Sequence, residues 1–458
     1  MGQEASKRKG ANETPSAKDK NFVHLPNTIA WWKDFKGFLA DVQAVKFLTL
    51  DHFAASFAEN DPFKEAKELT NLKKACTLSV NSPVNEKELM EEMLPWLAGK
   101  ALAVEELFVE DGKHGLLKKL SKFKSGKITL SRQQVCTLMA LAFFNAFDVQ
   151  GPTFNHFSLL NILTISNARS QRSKMLCLFQ YFSRLMEAEK KDKDFMNMQL
   201  SFERLVLRSA PDWSNSDQPM GVLLSCSGLI EDNHEALQAD FANKFIGGGV
   251  LTLGNVQEEI RFVISPECLV SLLLFEEMEP NEAILITGAE RFSTYSGYGN
   301  TFEYTGPFVD SNPVDSEQRR CVNIVAMDAI VAGYGGDEFC PELINRDMNK
   351  AFVAFSADTS MDKPENKAPV ASGNWGCGAF GGNVELKTLI QWMASTMAGR
   401  PLHYHTFSSK ELAEQQQEIV KLINEKKVTL GQLYQCVIKM DGKESPFSVV
   451  RQTFDNQN

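Results

Sequence analysis

The chain has 458 residues, of which 43% are hydrophobic and 23% charged, and its formal net charge is −10. That length exceeds one ordinary hydrophobic core, so two domains are expected. No segment approaches the roughly 20 apolar residues of a membrane-spanning helix, and no secretory leader is expected. The negative charge argues against a nucleic-acid-binding surface, so a polyanionic ligand would be held by local backbone donors. Nine scattered cysteines without a CxxC pair indicate reduced, buried thiols and argue against a disulfide or zinc framework.

Residues 1–24 are predicted to be a disordered tail, because they are polar, lysine-rich and too poor in apolar side chains to fold. Met1–Ser6 fits the pattern for N-myristoylation of Gly2. Lys7–Lys9 would serve either as a second, electrostatic membrane signal or as a nuclear signal. A plain solvated tail is the remaining alternative. The protein is therefore predicted to be nuclear, cytoplasmic or both, with a myristoylated membrane fraction as a further option.

Residues 25–213 are predicted to form an all-helical accessory domain. Apolar side chains recur at three- and four-residue spacing in segments 86–97 and 174–186. Ser131 followed by Gln134 is typical of a helix start, and the next residues are strongly apolar. These apolar stripes predict a packed core, and no catalytic chemistry is expected in this half.

Residues 214–458 are predicted to form an α/β domain with a mixed sheet flanked by helices, because short β-type runs now alternate with helical ones. The predicted strands are 222–226, 283–287, 322–326, 351–355 and 402–407. The predicted helices are 266–276, 384–398 and 409–425. Ser265–Pro266 is typical of a helix start. Ligands of such folds bind at the carboxyl ends of the strands.

The most informative segment is the run of three glycines, Gly247–Gly249. Without a Cβ the backbone can pass close to a ligand and point several N–H groups at it. A second glycine-rich segment, residues 373–382, precedes a predicted helix and would offer an anion free N–H groups and the helix dipole. Two such loops predict a diphosphate held from both sides. The absence of a GxxxxGK[ST] motif argues against a P-loop nucleotidase.

Two adjacent carboxylates, Glu258 and Glu259, follow the glycines at the expected start of a helix. On a helix their side chains would point about 100° apart, so only one is expected to face the ligand. A general acid must stay protonated at neutral pH. Burial, the neighbouring carboxylate and the ligand phosphates would have to outweigh the helix N-terminus, which favours the anion. Acidic residues favour first turns in general, but the preceding glycines favour a functional role here.

The segment 240–262 resembles the signature of the eukaryotic poly(ADP-ribose) glycohydrolases. The likeness extends to residues 295–298, 371–382 and Phe407, and spans about residues 130–440. It implies a macrodomain-like α/β fold that carries a helical accessory domain. It also implies mainly exo-acting hydrolysis of the ribose–ribose O-glycosidic bonds of poly(ADP-ribose), with release of ADP-ribose. An acetal bond of this kind needs a proton donor and a nearby negative charge.

The resemblance also implies the site residues. The catalytic group would be Glu259 as general acid/base, Glu258 and Asn243 on the terminal ribose hydroxyls, and Asp240 in support. The phosphate and ribose pocket would be lined by Gly247, Gly248, Gly249 and Gln257. The diphosphate would be held by Gly378, Ala379 and Phe380. The adenine would be surrounded by Glu231, Tyr298, Asn374 and Phe407. No cofactor or metal is implied, and the protein is expected to be a monomer that acts on poly(ADP-ribose) carried by modified proteins.

Three alternatives stay open. A catalytically silent macrodomain that binds ADP-ribose or poly(ADP-ribose) would keep both glycine-rich segments, although the paired glutamates argue against it. A nicotinamide-dependent oxidoreductase would need a GxGxxG turn after a strand and an acidic residue about twenty positions on, which neither segment supplies. A metal site at His403 and His405, which would share one face of a strand, lacks a third ligand in the pattern.

Overall fold

The structure is a computed structural model that describes residues 22–455, except 67, 80, 111–112, 167, 333–337, 360 and 363–366. The Gly2 pattern and the basic triplet of the predicted tail lie outside the described residues. The last three residues of that predicted tail, Phe22–His24, instead form a strand that pairs with Leu116–Lys118. The paired segment is ordered because Val23 is fully buried against the helices that follow.

The N-terminal half is mainly helical, as predicted. Its helices are α1 (Trp32–Gln43), α2 (Leu50–Asn60), α3 (Thr70–Leu78), α4 (Glu86–Glu88), α5 (Leu94–Leu102), α6 (Val104–Leu107), α7 (Arg132–Phe143), α8 (Leu160–Thr164), α9 (Arg169–Lys191) and α10 (Lys193–Asn197). Its short strands are β1 (Phe22–His24), β2 (Val109–Glu110), β3 (Lys113–His114) and β4 (Leu116–Lys118). The predicted start of α7 is confirmed, since Ser131 accepts a hydrogen bond from Gln134 N at 3.2 Å and Gln134 bonds back to Ser131 N at 2.9 Å.

An eight-stranded mixed sheet organises the molecule. Its strands in chain order are β5 (Gly126–Ser131), β6 (Gln199–Val206), β7 (Leu223–Cys226), β8 (Leu237–Ala242), β9 (Glu282–Thr287), β12 (Asn323–Asp328), β13 (Val370–Gly373) and β14 (Leu402–His405), while β10 (Ser293–Ser296) and β11 (Glu303–Pro307) form a separate hairpin. The spatial order is β5-β6-β9-β12-β8-β13-β14-β7. The five strands from β12 to β7 run parallel to one another, whereas β9 pairs antiparallel with β12. Their carboxyl ends therefore meet at one edge of the sheet.

Two strands of this sheet, β5 and β6, come from the half that was predicted to be all helical. They form an antiparallel pair, and β6 continues the sheet by pairing with β9. In β6 the apolar Leu200 and Phe202 alternate with the polar Ser201 and Glu203, which is the two-residue period of a strand. The helical patterns at 131–144 and 174–186, earlier in the same half, led to an all-helical prediction that overlooked this period. The domain boundary predicted after residue 213 stays a prediction.

The remaining helices are α11 (Gln257–Ile264), α12 (Ser271–Leu274), α13 (Pro341–Phe355), α14 (Val384–Ala398), α15 (Lys410–Glu425), α16 (Leu430–Val437) and α17 (Pro446–Asp455). The prediction of a strand at 351–355 is wrong, because these residues are the last turns of α13. A short apolar run has no period that separates a strand from a buried helix. The other four predicted strands are confirmed to within two residues. The predicted helix at 266–276 is a 3₁₀ turn, Pro266–Val270, followed by α12.

The sheet separates two hydrophobic cores. Ile284 and Ile286 of β9 face a core shared with α11 and the helical half, whereas Ala283 and Leu285 face a core shared with α13–α17. This alternation places helices on both faces of the sheet. Among the described residues, no helix has the length and apolar character required to cross a lipid bilayer.

Candidate active site

The predicted glutamate pair begins α11. Glu258 and Glu259 lie in its first turn, and Glu259 Oε2 accepts a hydrogen bond from the backbone N–H of Val256 at 2.9 Å. Only 2% and 6% of the two residues are exposed. Carboxylates at a helix start satisfy N–H groups that have no partner within the helix. The pair is thus fixed by α11 and shielded from water.

The glycine run holds these carboxylates through its N–H groups. Gly247 N–H donates to Glu258 Oε1 at 2.6 Å, and Gly249 N–H donates to Glu259 Oε1 at 2.9 Å. Gly248 N–H donates within the loop, to the carbonyl of Phe245 at 3.0 Å. The expectation that these donors wait for a phosphate is therefore wrong. The backbone approaches the two glutamates closely, and the glycines are needed for that approach.

Two glycines leave room for the glutamate side chains. A Cβ on Gly248 would lie 2.7 Å from both Glu258 Oε2 and Glu259 Oε1, and the backbone there has φ +48°. A Cβ on Gly254 would lie 2.6 Å from Glu259 Oε1. Carbon and oxygen atoms do not approach to these distances without a shift. Gly254 was not predicted as a site residue, although it follows the glycine run closely in the sequence.

Gln257 and Asn243 connect α11 to the end of β8. The Gln257 side chain accepts from Phe241 N at 2.7 Å and donates to Ala239 O at 3.1 Å. Asn243 N–H donates to Glu258 Oε2 at 2.9 Å, and its side chain caps the N–H of Phe245. The Gln257 amide is thus occupied by the strand. These two bonds align the helix with β8, and the predicted contact of Gln257 with a ligand would use its second amide hydrogen or its second oxygen lone pair.

Asp240 of β8 is fully buried beside the glutamates, and neither of its carboxyl oxygens has a hydrogen-bond partner among the described residues. Burial raises the pKa of Asp240 to about 8, while Arg261 lowers it and Glu259 raises it further. Burial also raises the pKa of Glu258 well above its usual range, with Asp240 and Glu259 adding to the rise. Burial and mutual repulsion therefore favour the protonated forms of Asp240 and Glu258.

Aromatic side chains form the other side of the site. The rings of Tyr298 and Phe407 meet edge to face with centroids 5.3 Å apart, and both are exposed. Partial burial of Tyr298 raises the pKa of its hydroxyl, a bond from the backbone N–H of Gln257 opposes this rise, and the charge of Glu259 adds to it. Tyr298 therefore reaches the start of α11. Glu231 is buried, and its Oε1 accepts from the hydroxyl of Tyr295 at 2.6 Å.

The second glycine-rich segment follows β13, the neighbour of β8, at the same edge of the sheet. Gly378 and Ala379 are exposed, and Phe380 packs partly against the second core. In the described part of the chain, the backbone N–H groups of residues 378–380 donate to no protein acceptor. Asn374, at the start of the segment, accepts from the hydroxyl of Tyr404 at 3.0 Å. Among the described residues, the N–H groups of 378–380 therefore have no protein partner, whereas those of Gly247 and Gly249 bind the glutamates.

The N-terminus of α14 differs from the prediction of an open anion site. Asn383 caps it by accepting from Leu386 N at 3.0 Å. The N–H of Asn383 donates to both carboxyl oxygens of Glu338 at 3.0 Å. A carboxylate of the protein therefore already lies at this helix end.

Two family profiles match the chain. The profile described as "Poly (ADP-ribose) glycohydrolase (PARG), helical domain" matches residues 82–204, and the one described as "Poly (ADP-ribose) glycohydrolase (PARG), Macro domain fold" matches residues 210–414. "Probable poly(ADP-ribose) glycohydrolase 2" of Arabidopsis thaliana is 32% identical over 387 residues, which are 72% of each chain. "Poly(ADP-ribose) glycohydrolase 1" of the same plant is 32% identical over 443 residues, 78% of this chain and 79% of the relative. The chain belongs to the poly(ADP-ribose) glycohydrolase family.

The likeness to this hydrolase family extends to animals. "Poly(ADP-ribose) glycohydrolase 1" of Caenorhabditis elegans is 35% identical over 334 residues, which are 68% of this chain and 40% of the relative. The family match confirms the resemblance inferred from the sequence and the macrodomain-like fold. The roles of the individual site residues stay predictions.

Two further features are the predicted histidine pair and a separate groove. His403 Nδ1 accepts from Asn233 Nδ2 at 3.1 Å, and His405 Nδ1 donates to the carbonyl of Gly228 at 3.2 Å. The described residues contain no cluster of three or more His, Cys, Asp or Glu side chains that could hold a metal ion. A groove of about 1010 Å³ lies elsewhere, along β5, β6 and the end of α13, and none of the predicted site residues lines it.

The helical half of this glycohydrolase-family protein contributes side chains that the sequence analysis missed. Asn155 donates to the carbonyl of Gly248 at 2.9 Å, and Lys174 of α9 donates to the carbonyls of Val250 and Thr252 at 2.8 and 2.9 Å. The only sequence signal was that Lys174 lies on the apolar stripe of its helix. A lysine at such a position requires polar partners.

Proposed function

We propose that this protein is a mainly exo-acting hydrolase of poly(ADP-ribose) that releases ADP-ribose, with Glu259 as general acid/base. Family membership supports glycohydrolase activity on poly(ADP-ribose). The observation that carries the assignment to Glu259 is its position: it is buried in the first turn of α11 and held by the N–H groups of Gly249 and Val256. The proposed substrate is a polymer on modified proteins, and the protein is proposed to act as a monomer in the nucleus, the cytoplasm or both.

The proposed reaction breaks the bond between the anomeric carbon and the oxygen of the preceding ribose. Glu259 donates its proton to that departing oxygen, and the positive charge that develops on the sugar ring is stabilised by nearby carboxylates. Glu259 then accepts a proton from water, whose oxygen bonds to the anomeric carbon. This restores the acid and completes hydrolysis.

The cluster around Asp240 and Glu258 supports proton chemistry at this place. Burial and mutual repulsion raise the pKa values of both groups, which favours a protonated carboxyl beside Glu259. In the proposal Glu258 and Asn243 bind the hydroxyls of the terminal ribose. Their backbone contacts fix both groups relative to Glu259.

The diphosphate is proposed to bind at the tip of the second glycine-rich segment. The N–H groups of Gly378, Ala379 and Phe380 point to no protein acceptor among the described residues. The adenine is proposed to contact Tyr298, Phe407 and Asn374, with Glu231 accepting from its amino group. The Tyr298–Phe407 pair supports exo action, because two touching rings at the adenine end would obstruct a polymer that continues past it.

Glu259→Gln tests the function directly. Purified protein is incubated with poly(ADP-ribose), and free ADP-ribose is followed by chromatography. The wild type is expected to release ADP-ribose, whereas Glu259→Gln should lose at least about a thousandfold in kcat, because the amide has no acidic proton to give. Binding of ADP-ribose, measured by calorimetry, should be retained.

Glu411→Gln is the matched control, since Glu411 lies exposed in the first turn of α15. It is expected to behave as wild type. Turnover by Glu259→Gln at the wild-type rate would refute the assigned acid. Binding of ADP-ribose without release by the wild type would show that the chain is a silent macrodomain.

A further inference from the structure

One peptide group of the glycine loop is held from both sides. Its N–H, on Gly247, donates to Glu258 Oε1 at 2.6 Å. Its carbonyl, on Ile246, accepts from the side-chain amide of Asn155 at 3.3 Å. Asn155 belongs to the helical half, in the segment between α7 and α8. A side chain of the accessory half therefore bonds to the peptide group that holds Glu258.

The peptide group between Gly248 and Gly249 repeats this arrangement. Its N–H, on Gly249, donates to Glu259 Oε1 at 2.9 Å. Its carbonyl, on Gly248, accepts from the same Asn155 Nδ2 at 2.9 Å. A single amide thus bonds to both of the peptide groups that hold the glutamates.

Bonds at these carbonyls fix the direction of the N–H groups, because a peptide group is planar and its N–H and C=O point in opposite directions. They also polarise the N–H, which strengthens its bond to the carboxylate. Gly247 and Gly248 have φ values of +88° and +48°, and glycine has wide conformational freedom. Hydrogen bonds within the loop use the carbonyls of Phe245, Gly247 and Gly249, so the carbonyls of Ile246 and Gly248 are held from outside by Asn155.

Asn155 is itself held in a defined orientation. Its Oδ1 accepts from the backbone N–H of His156 at 3.0 Å, which points Nδ2 toward the loop. Further along the loop, Lys174 Nζ donates to the carbonyls of Val250 and Thr252. Alternate carbonyls from 246 to 252 therefore all accept from side chains of the helical half.

We propose that Asn155 is a positioning residue that orients Glu258 and Glu259 together, by holding the two peptide groups whose N–H groups bind them. The proposal rests on the proposed function of these glutamates. It gives the accessory half a role in the reaction geometry beyond covering one face of the sheet.

Two variants test the proposal. Asn155→Ala removes the amide, and Asn155→Asp keeps its shape but sets a carboxylate against two carbonyl oxygens. Both are expected to lower kcat on poly(ADP-ribose) by about tenfold or more, since a small misplacement of reacting groups is costly. Asn155→Asp should be the slower of the two. KM and the affinity for ADP-ribose should change less than kcat does, because only the ribose hydroxyls contact Glu258 in the proposal and the adenine and diphosphate contacts lie elsewhere.

Asn281→Ala is the matched control. Asn281 is also half-buried, and its amide also donates to a distant backbone carbonyl, that of Leu207 at 3.0 Å. A structural effect alone would lower the stability of both alanine variants and leave kcat unchanged. Wild-type kcat in both Asn155 variants, or an equal kcat loss in Asn281→Ala, would overturn the proposal.

A second measurement does not depend on turnover. The side-chain carboxyl ¹³C resonances of Glu258 and Glu259, assigned with Glu258→Gln and Glu259→Gln, are expected to move in Asn155→Ala and to stay in place in Asn281→Ala. Unmoved resonances would overturn the positioning role. If the resonances move and the wild type releases no ADP-ribose, the positioning role stands and the proposed function fails.

Discussion

The Glu259 side chain occupies space that is open only because two neighbouring residues are glycines and have no Cβ. A Cβ on Gly254 would meet Oε1, Cδ and Cγ of Glu259 at 2.6, 2.8 and 2.9 Å, and these are its three nearest neighbours. Gly248, by contrast, faces both glutamates and has positive φ. A substitution at Gly254 therefore tests the placement of Glu259 alone, whereas one at Gly248 would combine a clash with backbone strain.

Gly254→Ala is expected to displace the Glu259 carboxylate and to lower kcat by on the order of a hundredfold, the cost of roughly 1 Å of misplacement. ADP-ribose affinity and the thermal unfolding midpoint should stay close to wild type, because the clash involves only that side chain. Steady-state kinetics and calorimetry measure these effects. Gly37→Ala is the control, since a Cβ there meets nothing within 4 Å. Unchanged turnover in Gly254→Ala would mean that the Glu259 carboxylate can shift without cost.

The elements that meet at the site are α11 and β8, and Gln257 joins them. Its side-chain amide takes the place of a neighbouring strand by bonding to the backbone of Phe241 and Ala239. This places the first turn of α11 beside the end of β8, where Asn243 begins the glycine-rich loop. The helix is short, with eight residues, so few contacts along its length could replace this one.

Gln257→Glu is expected to lower the free energy of unfolding by about 1–3 kcal/mol, because the carboxylate can accept from Phe241 N but cannot donate to the carbonyl of Ala239. Turnover should fall with it, since the same helix carries Glu258 and Glu259. Urea unfolding and kinetics on one preparation measure both effects. An unfolding midpoint equal to that of the wild type would show that the backbone of β8 is satisfied without this side chain.

The regular elements of the second half were predictable from the sequence because their patterns are local. The helix predicted at 384–398 coincides with α14, where Asn383 caps the start and Gly399 takes the left-handed conformation at the end. The end of α13 was mistaken for a strand because its apolar residues are buried on all sides. At α13 the tertiary surroundings, not the local pattern, decide the structure. The strand β6 carries the local two-residue period, but it was assigned to the helical half with the segments before it.

The candidate site was predictable where a linear motif carried it, as for Glu258 and Glu259. The contacts of Asn155 and Lys174 were not, since they join residues 76 to 93 positions apart. Residue spacing in a sequence does not predict a hydrogen bond between a side chain of one half and a backbone carbonyl of the other. The occupied N–H groups of the glycine run were missed for a different reason: their glutamate partners lie only 10 and 11 positions on, but the motif does not report the direction in which the peptide N–H groups point.

At the scale of the whole molecule, the helical half and the α/β half share one core and one loop. Lys174 of α9 is fully buried, and within the described residues no carboxylate oxygen lies within 4 Å of its ammonium group. Burial lowers its pKa from 10.5 to about 8, which the charge of Glu259 partly opposes. A buried lysine with a lowered pKa destabilises the folded state while it is charged. The hydrogen bonds from Lys174 to the carbonyls of Val250 and Thr252 hold the loop in place.

This arrangement makes stability depend on pH in a defined window. Below pH 8 the lysine is protonated in both the folded and the unfolded chain, and the full cost of its burial applies. Between pH 8 and 10.5 it is neutral in the folded protein and still protonated in the unfolded chain. The unfolded state then binds more protons, so stability rises with pH relative to a protein without this lysine.

Lys174→Met should abolish that rise, because methionine fills similar space and does not titrate. Between pH 7.5 and 10.5 the wild type is expected to gain up to about 3 kcal/mol relative to Lys174→Met, the equivalent of its lowered pKa at 1.36 kcal/mol per unit. Urea unfolding of both proteins at the two pH values measures the difference. Lys350, whose pKa burial also lowers to about 8, contributes equally to both proteins and cancels. Stability profiles of the wild type and Lys174→Met that run parallel between these pH values would contradict the prediction. They would show that the two loop carbonyls stabilise the Lys174 ammonium as strongly as water does.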